Sequence, residues 1–285
     1  MEITRDYVKS VLPLRDPEGH KGAFGKVYCL CGAVGYTGAP VLAAKAAVRS
    51  GSGLVYLGVP RDIWPIAAVK CDSAMPFPLP ASEGRLALAA EERIRVQMDP
   101  CDAVLVGCGL GRGAETDALT RRLLDVEKPL VLDADGINAL SGHIDLLECR
   151  RDLVTVMTPH EGEFARVGGD VSAGREAAAA SFARSRGVYL ILKGRRTVVA
   201  APDGRTAVNP TGNSGMAKGG SGDILSGVVL SLLGQGMEPF AACCAAVYCH
   251  GLAGDLAAAA LGERGMAPTD LLARLPHAFQ EIEQG

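Results

Sequence analysis

Short apolar runs of β type alternate along this chain with longer runs rich in small or amphipathic residues. KVYCLCG (26–32) reads as a strand, and GAPVLAAKAAVRSG (38–51) as a helix that ends on Gly51. GLVYLGVP (53–60) predicts a second strand, stopped by Pro60. DAVLVGCGLGRG (102–113) predicts a strand running into a glycine turn, with a helix over ETDALTRRLLD behind it. KPLVLDADG (128–136), DLVTVMTPH (152–160) and GVYLILKG (187–194) repeat the theme, each a short strand with a polar or glycine end. These strands lack internal polar alternation, which places both faces of each in apolar surroundings, as in a parallel sheet. RTVVAAPDGRTAVN (196–209) differs, because Asp203-Gly204 between two β-like runs signals a hairpin. After Gly219 the pattern is mostly helical to the end. The alternation predicts a three-layer αβα sandwich with a mainly parallel central sheet and no separate lid. With no linker, repeat or low-complexity tract in view, residues 1–285 read as one domain.

Composition narrows the class. Hydrophobic residues make up 48% and charged residues 21%, enough apolar material for a large core and too much for a disordered chain. A net charge of −3 provides no basic footprint, so nucleic acid is not expected as a partner. The start, MEITRDYVKSVLPLRD, has no signal-peptide core. The longest fully apolar run, Phe240 to Cys249, is ten residues, short of a bilayer span. No membrane association is expected, and the expected location is the cytoplasm. The nine cysteines include no C-x-x-C pair and read as buried reduced thiols, without zinc-ligand spacing.

In an open parallel sheet, ligands bind beyond the carboxyl ends of the strands. That collects residues 107–113, 133–138, 158–163, 193–197 and a glycine loop on one edge. The loop is NSGMAKGGSGDILSGVV (213–229), in which Gly219, Gly220, Ser221 and Gly222 precede Asp223 and an apolar helix. Glycines let successive N–H groups converge, and the helix adds its positive end, which makes an anion nest. Asp223 is then anomalous, since a carboxylate beside a phosphate is repelled unless it takes a proton from the hydroxyl attacking that phosphate. Nest plus base is the arrangement of phosphoryl transfer. The plain alternative is a glycine turn with an acidic first-turn cap. In TPHEGEF (158–164), His160 and Glu163 share a helical face. They read either as a helix start or as a substrate contact (His160) and a residue ordering Mg²⁺ waters (Glu163). GCGLGRG lacks the dinucleotide-fingerprint spacing and reads as a loop that admits a ligand. Gly38-Ala39 opens its helix close enough to abut one. His143, His250 and His277 show no constellation.

These segments also resemble a family. HKGAFGKV, YTGAPVLAAKAAVRSGSGLV, GCGLG, LDADGIN, TPHEGEF, LKGRRTVV and NPTGNSGMAKGGSGDILSGVV occur in the order and near the spacing of the ADP-dependent NAD(P)H-hydrate dehydratases, which are ribokinase-like. The resemblance covers roughly residues 20 to 275 and implies the form without an epimerase domain. It implies Asp223 as the base acting on the C6 hydroxyl of the hydrated nicotinamide, with Ala39, Gly109 and His160 as further contacts to NADHX or NADPHX. It implies Gly222 at the nucleotide's phosphate end, within the loop Gly219, Gly220, Ser221 and Gly222. Lys193, Gly194, Arg195, Arg196 and Thr197 would hold the adenosine portion. ADP would be the phosphoryl donor, with ATP as an alternative and Mg²⁺ as cofactor. A homo-oligomer is expected, a tetramer among its forms, and the small-residue helices 38–50 and 240–260 read either as packing against another subunit or as lying in the core. The second reading is a ribokinase-like kinase of a vitamin precursor that stops at the phosphorylated product.

Overall fold

In the computed structural model, which describes residues 1–284, the strands send alternate side chains to two separate apolar cores. In β1 (Lys26–Leu30), Val27 and Cys29 enter one core, and Tyr28 and Leu30 enter the other. The same division runs through β2 (Leu54–Pro60) and, beyond the edge strand β3 (Met75–Leu79), which gives only Leu79 to the second core, and the small hairpin β4 (Ala81–Ser82) and β5 (Arg85–Leu86), through β6 (Ala103–Val106). It continues in β7 (Leu130–Leu132), β8 (Thr155–Met157) and β9 (Tyr189–Leu192), and in the hairpin β10 (Val198–Ala200) and β11 (Thr206–Val208). A sheet apolar on both faces needs helices on both, and that requirement gives the three layers.

The sheet has nine strands in the order β11-β10-β9-β8-β7-β6-β1-β2-β3. Every neighbouring pair from β3 through β9 is parallel, and β10 is antiparallel to both of its neighbours. The first core lies under α1 (Arg5–Val11), α2 (Gly38–Arg49), α3 (Trp64–Lys70), α9 (Ser221–Gly234), α10 (Pro239–Gly265) and α11 (Pro268–Gln284). The second lies under α4 (Glu91–Met98), α5 (Ala114–Arg122), α6 (Asp135–Asn138), α7 (Glu161–Arg166) and α8 (Arg175–Arg186). The expected sandwich, mainly parallel sheet and hairpin at Asp203-Gly204 are all present.

The edge strand β3, MPFPL, is absent from the sequence reading because Pro76 and Pro78 mark it as non-strand. Prolines are tolerated only at a sheet edge, where β3 lies. The apolar run at 240–249 is part of a much longer helix, α10, with a break at Gly262 (φ 74°). By length and composition α10 is apolar enough to cross a membrane, but it passes through the first core with Phe240, Cys243, Val247 and Ala257 buried. The small-residue faces of α2 and α10 are spent in the same core: Ala43, Ala44, Ala46 and Ala47 of α2 are fully buried, as are Ala242, Ala245 and Ala246 of α10. Eight of the nine cysteines are buried thiols as expected, whereas Cys149 is exposed.

The tightest helix contact fixes α9, and with it the glycine loop. A Cβ placed on Gly227 would lie 2.2 Å from the Ala43 carbonyl oxygen and 2.8 Å from the Ala46 Cβ, so α9 rests backbone-to-backbone on α2. Helix propensity favours Gly227→Ala by about 1 kcal/mol. A 2.2 Å contact with a backbone oxygen is relieved only by moving a packed helix, at a cost of about 1–3 kcal/mol. Gly227→Ala is therefore expected to lower the melting temperature, while Gly265→Ala, where a Cβ meets nothing within 4 Å, is not. A melt of Gly227→Ala at or above that of the parent chain would contradict this account.

Candidate active site

β1 and β6 are neighbours, yet the chain proceeds outward from them in opposite directions, so a crevice opens beyond their carboxyl ends. The first turn of α2 and the loop after β6 form its walls. Gly109 sits there at φ 63°, and a Cβ on it would lie 2.9 Å from the Cβ atoms of both Ala39 and Tyr36. Ala39 and Gly109, far apart in sequence, thus touch at the crevice mouth.

A large cavity of about 1150 Å³ lies beyond the ends of the neighbouring strands β7, β8 and β9. Residues 193–197, 219–222, His160, Glu163 and Asp223 all line it, whereas Ala39 and Gly109 do not. The two groups of residues expected to act together meet at Cys108, the residue before Gly109. Its Sγ lies within 4.8 Å of carboxylate oxygens of both Asp133 and Asp223.

Gly220, at φ 109°, turns the chain into α9 with no side-chain cap. The Ser221 N–H bonds to the Lys218 carbonyl (3.3 Å) and the Ile224 N–H to the Gly220 carbonyl (3.2 Å). Between them, the N–H groups of Gly222 and Asp223 have no acceptor among the described residues. Two free donors at the positive end of a buried helix make an anion site. The carbonyl of Ser221 is held from behind by the ring Nε2 of His250, at 2.9 Å. Burial drives the His250 ring down to about 4, so it is neutral near pH 7 and donates from Nε2.

Asp223 stands in the first turn of α9. Burial, then the neighbouring Asp133 carboxylate, push its pKa up to about 7, partly offset by Cys108 and Lys193. A carboxyl poised near neutrality is suited to general-base work. Asp133 is itself ionised in spite of its burial, because Lys193 Nζ lies 2.7 Å from Oδ1 and Thr158 Oγ1 donates at 2.8 Å. Burial alone would lower Lys193, but Asp133 and Glu163, the latter 3.8 Å away, hold it above its ordinary value. The ammonium also faces the nest, since a Cβ on Gly222 would lie 3.2 Å from Nζ. The ammonium thus stands at the glycine-loop end of the cavity, whereas the sequence reading groups Lys193 with the adenosine-holding residues 194–197.

His160 and Glu163 form a capping box at the start of α7. His160 Nδ1 accepts from the N–H groups of Gly162 (3.0 Å) and Glu163 (3.3 Å), and Glu163 Oε2 accepts from the His160 N–H (2.9 Å). This places the proton of the ring on Nε2, 3.3 Å from Glu163 Oε1. The His160 ring is half exposed to the cavity, so the helix-start reading of this pair holds and leaves an imidazole edge available to a ligand. The 193–197 loop is shaped by Arg175, whose guanidinium donates to the carbonyls of Leu192 and Lys193 (both 2.9 Å) and Arg195 (2.7 Å). Arg196, at φ 56°, turns its side chain away to Glu2 at 3.0 Å.

Sequence reasoning gathered Asp133 and Cys108 onto the site edge only as members of 133–138 and 107–113, without a role, left His250 without one, and missed Arg175 and residues 209–212 along the far wall. Asp133 had a signal, a carboxylate directly after a buried strand, and the next residue, Ala134, is a non-glycine at φ 47°. The pairing of His250 with Ser221 spans 29 residues and carried none. A second, open depression of about 630 Å³ between α10 and α11, lined by Arg274 and His277, shares no residue with the cavity.

Comparison with known proteins identifies the family and the fold. Residues 27–277 match the NAD(P)H-hydrate dehydratase family. The bifunctional NAD(P)H-hydrate repair enzyme Nnr of Moorella thermoacetica is 41% identical over 99% of this chain and 54% of its own length. The ADP-dependent (S)-NAD(P)H-hydrate dehydratase of Neisseria meningitidis is 38% identical over 86% of this chain and 81% of its own. This chain spans about half the length of the bifunctional relatives it matches. The ADP/ATP-dependent NAD(P)H-hydrate dehydratase of Bacillus subtilis, crystallised with ATP and Mg²⁺, superposes with a TM-score of 0.85 at 28% identity, covering 99% of this chain and 98% of that one. A ribokinase-like superfamily protein of Enterococcus faecalis shares the fold, with a TM-score of 0.85 at 24% identity over 100% of this chain and 96% of its own. With a family match over residues 27–277 and a relative 38% identical over 86% of its residues, this chain belongs to the NAD(P)H-hydrate dehydratase family.

Proposed function

We propose that this protein is an ADP-dependent (S)-NAD(P)H-hydrate dehydratase, a cytoplasmic cofactor-repair lyase acting through one domain. The observation that carries the reading is Asp223, a carboxyl poised near neutrality beside two free helix N–H groups and an ammonium. Water added across the nicotinamide C5–C6 bond leaves a hydroxyl, a poor leaving group. Asp223 takes the hydroxyl proton as the oxygen attacks the β-phosphorus of ADP, and the P–O bond to AMP breaks. The N–H groups of Gly222 and Asp223, with the Lys193 ammonium, stabilise charge on the transferring phosphoryl. The ring nitrogen's lone pair then expels phosphate, and loss of the C5 proton restores the double bond. Cys108, buried and held as a neutral thiol, adds no charge beside the base.

The adenine nucleotide lies along the cavity from the 219–222 loop to the 193–197 loop, with ATP as an alternative donor. The hydrated nicotinamide of NADHX or NADPHX lies against Asp223, the exposed edge of His160, and Ala39 with Gly109 at the crevice mouth. For Mg²⁺, the donor set fits contact through water. Glu163 lines the cavity, but its oxygens already face the His160 N–H, the His160 ring and the Lys193 ammonium. Bound there, Mg²⁺ would supply positive charge against the phosphoryl oxygens.

Three outcomes are expected. Asp223→Asn folds and binds nucleotide, yet its turnover of NADHX with ADP and Mg²⁺ falls by at least about 10²-fold, the low end of general-base contributions. A raised carboxyl pKa in the folded state favours folding below the unfolded value and penalises it as pH rises past about 7. The asparagine variant should therefore melt no lower than the parent chain above that pH, and a collapsed melt with lost turnover would instead make Asp223 a structural cap. In the parent chain kcat/KM should fall as pH drops below about 7, where the base of the free enzyme is protonated; a kcat/KM flat through that range would place the base elsewhere. Gly222→Val sets a side chain against Lys193 Nζ and the phosphate's approach to backbone, so the nucleotide Kd should rise; an unchanged Kd by calorimetry would remove the 219–222 loop from the phosphate site. A kinase that stops at the phosphorylated product would consume ADP without restoring the absorbance of the reduced nicotinamide.

A further inference from the structure

Asp133 is a buried acid for which the chemistry above provides no task. It is 1% exposed, at the end of β7 and under the glycine loop. Its Oδ1 accepts from Lys193 Nζ (2.7 Å) and Thr158 Oγ1 (2.8 Å), and its Oδ2 from the Cys108 thiol (3.6 Å). The same Oδ2 would lie 3.9 Å from a Cβ on Gly222. Ligand atoms of Cys108, Asp133 and Asp223 all fall within 4.8 Å of one another. Two carboxyls thus share one buried pocket with a single ammonium between the strands and the nest. Were Asp133 only a strand-end anchor, Thr158 and the backbone would satisfy it, and no arrangement would be needed that places it against the reacting acid.

We propose that Asp133 is a positioning residue of the reaction: it fixes the Lys193 ammonium at the open side of Gly222 and holds a second negative charge beside Asp223. The inference rests on the dehydratase reading for its consequence in catalysis, though the coupling itself belongs to the protein without substrate. Its effect is twofold. The anchored ammonium meets the phosphoryl group without a search among rotamers. The neighbouring anion keeps Asp223 reluctant to ionise in the empty site, so that it is a stronger base when the hydroxyl arrives. Like charges at such separation cannot both ionise cheaply, and the pair titrates as a unit. The groups facing Asp223 are Cys108 from the loop after β6, Asp133 and Asp135 after β7, and Lys193 after β9. Glu163 of α7 stands behind Lys193, and neutral His250 of α10 holds the Ser221 carbonyl on the other side.

The test is a ¹³C NMR titration of the side-chain carboxyls in the full chain without ligands, the Asp223 signal being identified by its loss in Asp223→Asn. The parent midpoint should lie at about 7. In Asp133→Asn the like charge is gone, and the midpoint should fall by about one unit or more. In Lys193→Met the two carboxyls keep the pocket without a cation, and the later deprotonation of the pair should rise by a similar amount. The acid limb of the kcat/KM–pH profile for ADP-dependent dehydration should move with each midpoint. A merely structural Asp133 would lower the melting temperature and leave the Asp223 midpoint in place. An unmoved midpoint in Asp133→Asn, or shifts of the same sign in both variants, overturns the proposal. Opposite shifts in a protein that dehydrates no hydrate would support the pairing and sink the dehydratase reading instead.

Discussion

Asp133, directly after β7, and Glu163, in the first turn of α7 beyond β8, are both nearly sealed from water, where an unpaired charge is costly. The Lys193 ammonium answers both, at 2.7 and 3.8 Å, and they hold its pKa above the ordinary value in spite of burial. Removing one member of such a set typically costs about 3–5 kcal/mol, because the remaining charges are stranded. The consequence is geometric as much as energetic. One ion cluster ties the segments after β7, β8 and β9 together, and the glycine loop closes over it. The anion site, the poised Asp223 and the capping box at His160 are all arranged around that point of positive charge.

The other half of the arrangement is steric. A loop that offers bare N–H groups to a ligand needs a rigid helix behind it, and α9 is held by backbone contact with α2 at Gly227. Alanines and glycines on α2, α9 and α10 bring those helices close, so the chain uses small residues where a looser bundle would use leucine. Gly220, whose φ of 109° disfavours any side chain, then aims the first turn of α9 at the cavity.

Much of this was legible in the sequence for identifiable reasons. The layers and the parallel sheet follow from apolar runs without alternation, and the hairpin from Asp203-Gly204. The site edge follows from where parallel strands end, which is why residues 193–197, 219–223, His160 and Glu163 group together from the sequence alone. What stayed hidden depends on contacts between distant segments. Nothing local says that Lys193 would pair with Asp133, 60 residues away, or that His250 would support Ser221. Prolines hid β3 because propensity speaks for the middle of a sheet and not for its margin. In α10 the run of uncharged side chains was cut short by His250, which reads as polar but is buried against the glycine loop.

The two margins of the sheet have a bearing on colloidal behaviour. On one side Pro76 and Pro78 remove donors from β3. On the other, the backbone of the first residues pairs with β11: the Ile3 N–H reaches the Val208 carbonyl and the Val208 N–H the Met1 carbonyl, both at 2.9 Å. A foreign strand therefore finds few open ladder groups at either border, and recruitment of partly folded neighbours into β-type aggregates is blunted. The protection is unequal. Proline acts whatever the state of the chain, whereas the Met1–Ile3 cover is a short tether that lifts when the ends fray. An expression tag or a truncation at the amino end would thus be felt first as a change in solubility, well before the distant phosphate loop registers it.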